Sequence, residues 1–201
     1  ENLEVNELAE ALNVVYDGDK AVSKRKGIEV VKNFGEDIKI ERLIDYSKKE
    51  QLLVAYGKTL AKSDATIIKS DFDNVEFDWE VFSDGKLYLV NGKNYYVYDG
   101  TDISEVSPAE GTSIDHIKRC KCIVQRGQRL FAAGDSDNPN SIYFSEVGEA
   151  NNFPANNVID AISDDNDVIT GLAEFHSDMV AFKKKHVYAW FGWNPEEDVR
   201  F

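Results

Sequence analysis

The sequence predicts an all-β protein, a β-propeller-like array of about four antiparallel blades. Three observations carry this. Short β-branched and aromatic runs are punctuated by Gly, Asp, Asn and Ser, the pattern of many strands and tight turns. The runs recur as one unit of strand, short turn, strand, short turn and aromatic-rich strand. Anchored on the first apolar residue of the middle strand, the units fall at Leu52, Leu87, Leu130 and Met179, which lie 35, 43 and 49 residues apart. Spacings of this size, with three or four strands each, are those of propeller blades.

Residues 1–39 read as an extended N-terminal segment that docks on the blades. Leu3, Leu8, Ala11 and Leu12 could make a turn or two of helix, Asp17-Gly18-Asp19 is a hairpin-turn signal, and residues 28–31 are the best candidate for a strand borrowed to close the array. The propeller-like domain spans 40–201, with units at about 40–70, 75–107, 118–162 and 168–201. The first unit runs 40–46, a turn at 47–50, then 52–56 and 59–62. The second runs 75–82, Ser83-Asp84-Gly85, 87–90, Asn91-Gly92 and 95–98. The third is 120–125, Arg126-Gly127-Gln128, 130–133, a loop over 134–140, and 142–145. The fourth is 169–175, His176-Ser177-Asp178, 179–182, a turn at 183–185, and 186–191. An outer fourth strand is available after the first three units, at 65–69, 103–106 and 157–162, whereas only 198–201 follows the last. The chain therefore reads as an incomplete propeller from a longer protein.

One antiparallel sheet cannot bury two apolar faces, and stacking sheets face to face around an axis hides both while leaving only short edges. The runs Leu87-Tyr88-Leu89-Val90 and Tyr95-Tyr96-Val97-Tyr98 are apolar on both faces, as sandwiched blades require. A two-sheet sandwich of ordinary hairpins is the competing architecture.

Composition narrows the function. Of 201 residues, 42% are hydrophobic and 11% aromatic, enough for a core. Lys and Arg number 23 against 37 Asp and Glu, a net charge of −14 that argues against a phosphate-binding face. No apolar run approaches the roughly 18 residues of a membrane helix, and no apolar signal segment opens the chain. Cys120 and Cys122, flanking Lys121, would share one face of a strand; they cannot form a disulfide scaffold, and a zinc site would need two more soft ligands.

Several phrases, in order, resemble a known family. They are Asn13-Val14-Val15-Tyr16-Asp17-Gly18 with Ser23-Lys24-Arg25-Lys26-Gly27-Ile28; Arg129-Leu130-Phe131-Ala132-Ala133-Gly134; Asn138-Pro139-Asn140-Ser141-Ile142-Tyr143-Phe144-Ser145-Glu146; Gly148-Glu149-Ala150-Asn151-Asn152-Phe153-Pro154; Ile159-Asp160; and Asp164-Asp165-Asn166-Asp167-Val168-Ile169-Thr170-Gly171-Leu172. The series resembles bacteriophage and prophage virion proteins with propeller-like β domains, associated with tails and the head–tail region. The resemblance covers most of the chain and is densest from 129 to 190. It implies a structural, non-enzymatic role in the virion (or in host cytoplasm before assembly), with other virion proteins as partners and a homo-oligomer in the intact assembly. It brings no catalytic residues and no cofactor. An acidic surface suits such a part, since a conduit for DNA should repel phosphate.

Candidate chemistry is sparse. Asp164, Asp165 and Asp167, with Asn166 between them, could offer oxygen ligands to Ca²⁺, although the spacing departs from an EF-hand. Asp135 and Asp137 form a second such set. At both places a solvated Asx-rich turn is the competing reading. The Ser-Asp pairs sit at turns and no nucleophile elbow or phosphate-binding glycine loop occurs. Trp79, Trp190 and Trp193 could stack on sugars, with Trp193 in a Gly192-Trp193-Asn194-Pro195 turn the best placed, which makes a glycan-binding adhesin module the second functional reading. A propeller glycosidase with two facing carboxylates is the third.

Overall fold

The computed structural model describes residues 14–17, 21–24, 30, 32–35, 37–161, 167–176 and 178–190. The chain divides into two compact units, Glu1–Asn33 and Phe34–Phe201. In the first, β1 (Val14–Asp17) pairs antiparallel with β2 (Ala21–Lys24), Asp17 opposite Ala21. This is the hairpin that Asp17-Gly18-Asp19 signals. The helical turn expected within 3–12 lies outside the described residues, as does the strap at 28–31 apart from exposed Val30.

The second unit is four small antiparallel sheets arranged as a four-blade β-propeller. The first sheet is β3 (Ile40–Tyr46), β4 (Gln51–Tyr56), β5 (Thr59–Lys62) and β6 (Ile67–Lys69); the second is β7 (Asp78–Val81), β8 (Leu87–Val90), β9 (Tyr95–Tyr98) and β10 (Ile103–Glu105). The third is β11 (Cys122–Arg126), β12 (Arg129–Ala133), β13 (Ser141–Phe144) and β14 (Val158–Asp160), and the fourth holds β15 (Ile169–Phe175), β16 (Asp178–Lys183) and β17 (Val187–Trp190). Within each sheet every strand pairs with the next in sequence, through short turns except at 134–140 and 145–157 in the third sheet. The single α-helical turn among the described residues, α1 (Asp115–Lys118), precedes the third sheet and was not signalled by any helical periodicity.

Three apolar cores among the described residues hold the sheets together. Ile44, Tyr46, Leu53, Leu60, Phe77 and Tyr96 pack between the first and second. Tyr88, Tyr95, Ile117, Ile123, Leu130 and Phe153 pack between the second and third. Phe131, Ile142, Phe144, Met179 and Ala181 pack between the third and fourth. Strands β8 and β12 explain why the runs are apolar on both faces: Leu87 and Leu89 enter the first core while Tyr88 and Val90 enter the second, and Leu130 enters the second while Phe131 enters the third. Each leucine so enclosed contributes about 1.5–3 kcal/mol.

The alternation corrects the expectation for the cysteines. Strand β11 begins only at Cys122; Cys120 closes the turn after α1, its thiol donating to the His116 carbonyl at 3.3 Å. Cys120 therefore lies in the second core and Cys122 in the third. Burial pushes both thiols up, that of Cys122 to about 12, so neither is a thiolate near neutral pH.

Candidate functional site

The loop between β12 and β13 opens at Gly134, whose φ of +78° is one that glycine adopts without strain; a Cβ there would stand 3.3 Å from the Lys121 side chain. The turn so made drives Asp135 inward until it is 1% exposed. Arg119, delivered by the end of α1, grips it with two hydrogen bonds, Nε to Oδ1 at 2.7 Å and Nη2 to Oδ2 at 3.0 Å. Tyr143 on β13 donates its hydroxyl to Oδ2 at 2.8 Å, Asn138 adds its amide at 3.3 Å, and the Asp137 main-chain N–H bonds Oδ1 at 3.0 Å. Burial alone would raise this carboxyl; the donors, Arg119 foremost, outweigh it and hold it well below the usual carboxylate range.

Asp137 lies 3.1 Å from the same guanidinium. The two acids that could have served Ca²⁺ thus share an arginine, which supplies the positive charge that the pair requires. Asp167 is likewise engaged: it is 6% exposed and accepts the N–H groups of Lys184 and Lys185 at 3.2 and 2.7 Å, tying down the turn between β16 and β17. Asp164, Asp165 and Trp193 lie outside the described residues, and among those described no group of three or more His, Cys, Asp or Glu side chains could hold a metal ion.

A second set of acids was not foreseen. Strands β7, β11 and β15 come together, and Asp78 and Glu80 on β7 reach across to β11, accepting the N–H groups of Ile123 at 2.8 Å and Gln125 at 3.1 Å. They cap edge amides that have no strand partner on that side. Burial raises both carboxyls despite these bonds; for Glu80 the charges of Asp78 and Glu174 add to the effect. Buried Arg126 lies in the field of Glu174 and Asp178. A glycosidase reading would ask for two facing carboxylates, but Asp78 and Glu80 are already committed to the main chain. The alternation Asp78-Trp79-Glu80 carried the signal: two acids on one face of a strand otherwise read as apolar.

A cavity of about 630 Å³ lies beside the Asp135 cluster, lined by residues 111–113, His116, Tyr143 and 153–155. The His116 ring stands edge-on to Tyr143 with centroids 4.5 Å apart. Burial and then the Arg119 charge lower the His116 pKa, so its imidazole is neutral near pH 7. A second cavity of about 440 Å³, more polar, is bounded by Asp84, Lys86, Glu105 and residues 148–151.

The outer faces of the end sheets differ from the inner ones. Leu43 pairs across from Val54 and Leu52 from Asp45, which places them on the face of the first sheet turned away from Ile44, Tyr46 and Leu53. Leu43 is 57% exposed and Leu52 43%. On the fourth sheet Phe182 pairs with Val187, opposite the face bearing Met179 and Ala181, and both are exposed.

No protein-family model matches the chain, and no curated protein matches it. Among solved structures it is similar to the computationally designed Ika4 protein, with a TM-score of 0.52 at 16% identity over 82% of this chain and 98% of that one. It is also similar to the extracellular domain of a putative one-component system from B. thetaiotaomicron, again with a TM-score of 0.52, at 11% identity over 82% of this chain. The chain matches only 22% of that domain's length. At such identities the likeness is one of fold alone.

Proposed function

We propose that this chain is a non-enzymatic structural component of a phage or prophage virion, acting through protein–protein contacts with other virion proteins and with further copies of itself. The observation that carries the reading is the exposed apolar set Leu43 and Leu52 on the first sheet and Phe182 and Val187 on the fourth. Sheets of this fold are stabilised by covering each apolar face with another sheet; the three cores cover six faces, and these two carry exposed apolar side chains. The resemblance over 129–190 supplies the biological setting. The net charge of −14 agrees with a part placed near packaged DNA that must not adhere to it.

Light scattering at increasing protein concentration tests this. The expected result is an oligomer of defined stoichiometry that Leu43→Asp or Phe182→Asp dissociates without loss of β-sheet circular dichroism. A strict monomer at high concentration would overturn the assembly reading.

A further inference from the structure

We infer that the cavity beside α1 is a binding subsite for a neutral sugar ring. At about 630 Å³ it falls within the range of sites that enclose small ligands. Its walls divide by chemistry. Tyr143 and Pro154, backed by buried Phe153, form an apolar shelf, and Thr112, Ser113 and His116 form a polar rim.

None of the lining side chains is charged, so neither an anion nor a cation finds a counter-charge there. The ionic groups bonded to the lining are already paired: Asp135, which accepts the Tyr143 hydroxyl, is held by Arg119, and Asp115, which accepts the Ser113 hydroxyl at 3.1 Å, lies 3.6 Å from the Lys118 ammonium. A wholly apolar ligand would cover the rim and leave the His116 imidazole without water or a partner, which is costly. A pyranose matches both parts, with C–H groups against the shelf and hydroxyls toward the rim. Neutral His116 offers one donor and one acceptor, and neither ring nitrogen has a hydrogen-bond partner among the described residues. A sugar hydroxyl can both give and take a proton, so it satisfies either tautomer.

The site is also held in shape before a ligand arrives. Tyr143 is fixed through its hydroxyl to Asp135, which Arg119 fixes in turn, and Thr112 Oγ1 donates to the Ala109 carbonyl at 2.9 Å while keeping its lone pairs available. Preorganisation of this kind lowers the ordering cost of binding. Nothing here depends on the virion assignment, because the cavity is lined by the connection before β11, by Tyr143 and by the β13–β14 loop, and includes none of Leu43, Leu52, Phe182 and Val187.

The test is saturation-transfer NMR on the whole chain with glucose, galactose and N-acetylglucosamine at millimolar concentration, and with phenol as an apolar control. Two variants accompany it: His116→Ala, and Ala155→Trp, which fills the mouth from an exposed position and leaves the core intact. Transfer to the ring protons of at least one sugar is expected, about tenfold weaker in His116→Ala and abolished in Ala155→Trp, with unchanged thermal unfolding. Absence of transfer to all three sugars, transfer undiminished in Ala155→Trp, or binding of phenol in preference to sugars would each overturn the proposal.

Discussion

Asp135 and the pair Asp78–Glu80 are acids of the same kind set against the same sheet, yet the fold shifts them in opposite directions. Asp135 meets a guanidinium, a phenol, an amide side chain and a main-chain N–H, and its charged form is favoured. Asp78 and Glu80 meet chiefly main-chain N–H groups in surroundings that withhold water, and their charged forms are disfavoured. A hydrogen bond from an amide satisfies an acceptor without neutralising it. Only the arginine turns a buried carboxylate into a stabilising charge.

The most severe break in the contrast is Asp135→Asn. The amide loses the ion pair while Arg119, partly exposed, stays charged, so destabilisation of about 3 kcal/mol is expected, the low end for removing one partner of a buried pair. For a domain of this size that lowers Tm by about 10 °C, readable by calorimetry. Next comes Asp78→Ala, which leaves the Ile123 N–H without its acceptor and costs about 2 kcal/mol in urea unfolding. Tyr143→Phe removes one donor of several and costs about 1 kcal/mol. Were Tyr143→Phe as damaging as Asp135→Asn, the cluster would rest on the phenol and not on the guanidinium.

These sites also mark how far the sequence could be read. Blade order, hairpin turns and the doubly apolar strands were legible because each follows from local alternation and turn residues. Leu52, Leu87, Leu130 and Met179 all fall on middle strands of the observed sheets. Asp135 was legible as a turn acid, but its partners Arg119 and Tyr143 lie 16 positions before and 8 after it, and no local pattern announces their meeting. Asp78 and Glu80 were hidden for a similar reason. Their role depends on the edge of a strand 45 residues away. The cysteines went astray because the strand begins at Cys122 and not at Cys120, so Cys120 sits in the turn that follows α1 and does not share the strand's alternation.

The smallest expected effect is also the sharpest test of the comparison, because the two kinds of acid should move stability in opposite senses as pH changes. Asp78 and Glu80 titrate higher in the folded chain than in the unfolded one. As pH falls from neutral toward the ordinary carboxylate range near 4, the folded state takes up their protons first and stability rises. Asp135 titrates lower when folded. Its contribution is present above the unfolded value and is lost as the pH falls below about 4, where the unfolded chain accepts a proton that the native cluster refuses. Urea midpoints against pH should therefore climb and then drop. General relief of the −14 charge contributes to the climb as well, so the subtraction matters. The pair Asp78→Asn and Glu80→Gln keeps an acceptor for each amide, should be close to neutral in stability at pH 7 or slightly stabilising, and should flatten the climb while leaving the drop in place. An unaltered climb in that double variant would mean that the two carboxyls are better solvated than their position on β7 implies, and that the amides of β11 are capped by charge at no electrostatic cost.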